Sequence, residues 1–122
     1  MRVALMLAFA IPFNAAAAAE NACLQALNGA ITANEEAMEI SRATRAFQNS
    51  LYAQGAFCTQ AALDKLGEEI AGYQAAVEAA AAVEGHCQGE FAELGRETKE
   101  LAQRNLAARQ GAEARFRQDC GR

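Results

Sequence analysis

Cysteines at positions 23, 58, 87 and 120 bound three stretches of similar length, and each of the three carries the pattern of a long helix. The single proline, Pro12, precedes all four cysteines. At about 1.5 Å of rise per residue, a helix from Cys23 to Cys58 holds those residues roughly 45–50 Å apart. Cys58 to Cys87 and Cys87 to Cys120 give roughly 40–50 Å by the same rise. A disulfide needs its Cα atoms within about 7 Å, so no pairing that joins sequence neighbours can close. Of the three possible connectivities, Cys23–Cys87 with Cys58–Cys120 is the one that survives. It predicts an all-α, antiparallel up-down-up three-helix bundle, with helices over about 21–54, 59–84 and 88–119. Each bridge then staples an outer helix to one end of the central one.

Local signals agree with that frame. Roughly a quarter of the chain is alanine, and Glu, Leu, Arg and Gln fill much of the rest, all strong helix formers. In the central segment Leu63, Leu66, Ile70, Tyr73, Val77 and Ala80 recur by threes and fours, and Thr59 is placed to cap its start. Gly55 marks the end of the first helix. The first helix carries two apolar rows: Leu24, Leu27, Ile31 and Met38, and the alanine row Cys23, Ala26, Ala30, Ala33 and Ala37. The second row runs on into Ile40, Thr44, Phe47 and Leu51. Each row is expected to meet a neighbour, and a kink near Glu39 is an alternative explanation for the change of face. On the third helix the expected apolar face is Phe91, Leu94, Thr98, Leu101, Ala102, Asn105, Ala108, Ala112 and Phe116. There Thr98 and Asn105 read as tolerated polar positions or register setters.

Residues 1–19 read as a secretory signal peptide, with Arg2, then the apolar run Val3–Phe13, then small residues Ala15–Ala19. The apolar run stops at Asn14, short of the roughly 20 residues a membrane anchor needs. Residues 20–122 are expected to form one disulfide-braced domain, exported to the periplasm or secreted. The alanine-rich, arginine-over-lysine composition reads as a GC-rich bacterial gene. Of the basic residues only Arg2 lies in the leader, so its removal takes the formal charge from −4 to −5. An acidic balance makes nucleic acid and anionic lipid poor partners.

Few residues suggest chemistry. His86 is the only histidine, with Glu90 four residues on, and the glutamate rows Glu35, Glu36, Glu39 and Glu93, Glu97, Glu100 could in principle take a hard cation. No second histidine completes a zinc set, and Glu39–Arg42, Glu100–Arg104 and Glu113–Arg117 have the spacing of ordinary surface pairs. Ser41 and Ser50 are the only serines, and no Gly-rich phosphate loop is present. No cofactor, metal site or catalytic set is therefore expected. Arg104, Arg109, Arg115 and Arg117 make the end of the third helix basic and are a candidate partner surface. These features point to a non-enzymatic binding, adaptor or inhibitor module with an unknown protein partner. Self-association through Gly29, Ala33 and Ala37 of helix one and Gly72 and Ala76 of helix two is its alternative, and a metal role for His86 ranks third.

Overall fold

A computed structural model describes the backbone of residues 2–121 and the side chains of residues 17–121. Most of the expected signal peptide has its side chains outside the described residues. Three helices occur in order: α1 (Arg2–Ala53), α2 (Gln60–His86) and α3 (Glu90–Cys120). Helix α1 is unbroken through Glu39, and it extends N-terminally past residue 21 because the alanine run Ala15–Ala19 has the highest helix propensity of any residue type.

The ends are built as the sequence implies. Gly55 takes a left-handed φ of 67°, and the Ala56 N–H donates to the Leu51 carbonyl at 2.9 Å, closing α1 with a Schellman-type turn. Thr59 caps α2 by accepting from the Ala62 N–H at 3.2 Å. The bridges are Cys23–Cys87 and Cys58–Cys120, with Cα separations of 4.8 and 5.4 Å.

Helix α2 packs along both α1 and α3, whereas α1 and α3 share no interface of comparable extent. The seams follow a seven-residue repeat, the signature of left-handed supercoiled helices. Buried Ala30, Ala37 and Thr44 continue from Cys23 on α1; Ala62, Glu69, Ala76 and Val83 do so on α2; Gly95, Ala102 and Phe116 do so on α3. Near Cys23–Cys87 the seam residues are small, and the helices approach closely. A Cβ on Gly95 would lie 2.9 Å from the Glu84 backbone nitrogen, and one on Gly72 would lie 3.5 Å from the Ala37 Cα. Near Cys58–Cys120 the core is bulky: Phe116, Leu63 and Leu66 are buried together, with Phe47, Leu51 and Phe57 packed on them.

Two expectations need correction. Of the row Leu24, Leu27, Ile31 and Met38, only Leu27 packs inward, at the margin of Ala30, Val83 and Cys87. Leu24, Ile31 and Met38 stay exposed because the alanine row takes the α2 side; the later change of face is that same row continuing to Thr44, not a kink. On α3, Phe91, Leu94 and Leu101 are likewise exposed, and the helix approaches α2 through Gly95 and Ala102. Small residues win the seam because they permit close backbone approach, which a Leu or Phe at the same position would hold apart.

Candidate functional site

The exposed rows share one side of the molecule, and the reason is geometric. From the Cys23–Cys87 bridge, α1 beyond Cys23 and α3 from Glu90 run parallel to each other toward the Cys58–Cys120 end, with α2 between them. On α1 each exposed residue comes one position after an α2-facing one: Leu24 after Cys23, Ile31 after Ala30, Met38 after Ala37. On α3 each precedes it: Leu94 before Gly95, Leu101 before Ala102. One residue is a turn of about 100°. A step forward on one flank and a step back on the other therefore point to the same side of the layer. Among the described residues, the large apolar side chains left exposed are Leu24, Ile31, Met38, Tyr52, Phe91, Leu94 and Leu101, and all fall on this side.

Farther along, the same side forms a hollow of about 230 Å³, with Tyr52 of α1 on one wall, Arg109, Arg115 and Phe116 of α3 on the other, and Leu66 of α2 among the lining. Tyr52 is stacked on Phe57 at 4.4 Å between ring centroids, and Phe57 meets Phe116 edge-on at 5.3 Å. The face is thus a groove, floored by α2 and flanked by α1 and α3. It is apolar toward Cys23–Cys87. Toward Cys58–Cys120 it turns cationic and aromatic, because the α1 row continues from Met38 to Arg45 and Tyr52.

Charge is distributed unequally along it. Every charged residue of α1 from Glu20 to Ser41 is acidic: Glu20, Glu35, Glu36 and Glu39. Early α3 is acidic too, but part of that charge is neutralised. Arg96 binds Glu93 on one side and Glu100 at 2.7 Å on the other. The hydrogen bond from Arg96, reinforced by its charge, holds the Glu93 carboxyl below the usual carboxylate range, and the same contacts raise the arginine further. Lys99 pairs with Glu84 of α2. Glu90 and Glu97 line a shallow depression with Phe91 and Leu94. Neither they nor Glu35 on the opposite flank has an ion pair among the described residues.

The four arginines singled out by sequence do not form one patch. Arg109 and Arg115 line the hollow; Arg104 lies beside a separate open depression with Glu100 and Gln103; Arg117 faces Glu113 at 4.0 Å. Arg109 also has an inward partner that sequence reasoning missed. Glu69 is 2% exposed, accepts from the Ser41 hydroxyl at 2.6 Å, and has its other oxygen 3.7 Å from Arg109. This carboxylate ties all three helices together. Its signal was present in the row Ala62, Glu69, Ala76, Val83, where a glutamate interrupts small and apolar residues at a spacing of seven. Thr98 and Asn105 are half-buried, and the buried polar role falls instead to Glu69 and to Thr44, whose hydroxyl donates to the Lys65 carbonyl at 3.4 Å.

His86 is exposed at the last turn of α2, and no group of three His, Cys, Asp or Glu side chains able to hold a metal is assembled among the described residues. No described helix is long and apolar enough to cross a membrane. Gly72, Ala37 and Ala76, three of the residues expected to serve self-association, are occupied within the α1–α2 seam. Compared with protein-family models, curated proteins and solved structures, the chain matches none.

Proposed function

We propose that this chain is an exported, disulfide-braced helical module that acts without catalysis, by binding a partner in the groove between α1 and α3. One observation carries the reading. Large apolar side chains from two separate helices, 45–64% exposed, converge on one side of a scaffold pinned at both ends. Six of them lie in its apolar half and leave on the order of 500 Å² uncovered, the size of the largest patch on a typical monomer and often a functional one. Two bridges behind a leader-like N-terminus support an oxidising compartment, where such staples persist.

The test is affinity purification from the envelope fraction with the wild-type protein and with Ile31→Glu/Leu101→Glu, both exposed positions. A stoichiometric companion is expected with the wild type and not with the variant. Identical recoveries from both, or neither recovering a companion, would sink the reading.

A further inference from the structure

Resting on that reading, we infer that the apolar half of the groove receives a cationic amphipathic helix of a partner protein, one apolar stripe flanked by Lys or Arg. The shape comes first. From Leu24 to Met38 the α1 row extends about 21 Å, some four helical turns. The α3 row (Phe91, Leu94, Leu101) runs parallel to it with anchors three and seven residues apart. Two parallel apolar rows on either side of a floor form the seat of a fourth helix, the arrangement in which an amphipathic helix is read through anchors at i, i+3/i+4 and i+7.

Charge then selects among occupants. Beside the apolar rows the rim carries Glu35 on one flank and Glu90 and Glu97 on the other, and Arg104, seven residues past Glu97, marks where it turns cationic. A helix with acidic flanks would set like charges against these, whereas basic flanks neutralise them, and complementarity of this kind governs partner choice more than raw affinity. A second copy that lays its own apolar rows on these brings acidic rim against acidic rim, so repulsion opposes the apolar gain. An antiparallel copy that avoids this sets the apolar rows against the half bearing Arg45, Arg109 and Arg115 rather than against each other. Anionic lipid meets the same rim and is opposed in the same way.

The probes are two labelled synthetic helices with the same leucine stripe, one flanked by lysine and one by glutamate, titrated against the intact disulfide-bonded protein by fluorescence anisotropy. The lysine helix is expected to bind at least roughly tenfold more tightly. Ile31→Glu/Leu101→Glu abolishes binding while the circular dichroism melt is retained, and Glu90→Lys/Glu97→Lys reverses the preference. Glu36→Lys/Glu78→Lys makes the same change in net charge away from the groove and leaves affinity within about twofold, because its effect is screened over that distance.

Equal loss in the off-groove variant would reduce the effect to general attraction and overturn the inference. So would equal binding of both helices, binding of neither, or a preference for anionic vesicles over the lysine helix. A concentration-dependent dimer that Ile31→Glu disrupts would name the second copy as occupant instead. The two levels separate cleanly. If purification yields a groove-dependent companion but the lysine helix does not bind, the partner chemistry fails and the binding role stands.

Discussion

At the scale of single residues, Glu69 is the most exacting position in the molecule. Its carboxylate is out of water, held by one hydroxyl and faced by one guanidinium that remains 32% exposed. Removing one partner of a fully buried pair costs about 3–5 kcal/mol, and the partial exposure of Arg109 lowers the expected loss for Arg109→Ala to about 2 kcal/mol. In a Glu69→Gln background the same substitution should cost much less, since no buried charge is then left alone. Chemical denaturation of the four proteins of that cycle measures the difference, and equal costs in both backgrounds would show the pair to be uncoupled. Glu93 gives a prediction in pH. Its folded carboxyl titrates below the ordinary carboxylate range because Arg96 bonds its ionised form. Its stabilising contribution is therefore present above that range and is lost as pH falls through the lowered folded value. Carbon-detected NMR titration should show the depressed midpoint and its return to normal in Arg96→Ala. An unchanged midpoint in the variant would remove Arg96 as the cause.

At the scale of helices, glycines of similar appearance should respond in opposite directions. Nothing lies within 4 Å of a Cβ placed on Gly67, so Gly67→Ala should stabilise α2 by up to about 1 kcal/mol through helix propensity alone. A Cβ on Gly95 meets the Val83 Cγ1 at 2.7 Å and the Glu84 nitrogen at 2.9 Å, so Gly95→Ala must push α3 away. Overpacking of that sort typically costs about 1–3 kcal/mol, more than the propensity gain. Thermal melts of the two variants should move in opposite directions; a shared direction would mean the seam is looser than its geometry implies. The contrast also shows what the sequence could convey. Helix identity, caps and bridge connectivity derive from local spacing and from the rigidity of long helices, so Thr59, Gly55 and the crossed pairing Cys23–Cys87 and Cys58–Cys120 were legible. Which face of an outer helix is covered was not. Leu24 and Ile31 look more like core than Ala30 does, because hydrophobicity is a property of the residue alone. Close approach is a property of two facing rows, visible only once Ala37 is seen against Gly72 and Gly95 against Val83. The groove was hidden for the same reason: the residues that face each other across it, such as Ile31 and Leu94 or Met38 and Leu101, lie about sixty positions apart in sequence.

At the scale of the whole molecule, the two bridges close loops of nearly equal length, with separations of 64 and 62 residues, and should constrain the unfolded chain alike, by roughly 4 kcal/mol each in the chain-entropy model. Their native surroundings differ. Around Cys58–Cys120, aromatic and leucine side chains hold the three helices together without help. Around Cys23–Cys87 the buried residues are Ala30, Val83 and Cys87 itself, with Ala26, Leu27, Ala79 and Ala92 at their margin, which is little apolar area to oppose fraying. Cys23→Ala/Cys87→Ala and Cys58→Ala/Cys120→Ala should thus lower global stability by similar amounts but differ in local opening. Hydrogen exchange should show α1 from about residue 20 to residue 30 losing protection in the first variant, at free energies well below global unfolding, and no such local loss at the far end in the second. Matching protection maps would contradict the asymmetry. The end that depends on its bridge is also the end where the apolar rows lie open, since the small seam that brings the helices close leaves the large side chains facing outward. If the groove binds as proposed, Cys23→Ala/Cys87→Ala should weaken affinity for the lysine-flanked probe helix in the anisotropy titration at temperatures where circular dichroism still shows the fold. Cys58→Ala/Cys120→Ala should leave that affinity within about twofold; equal losses would separate the groove from its bridge.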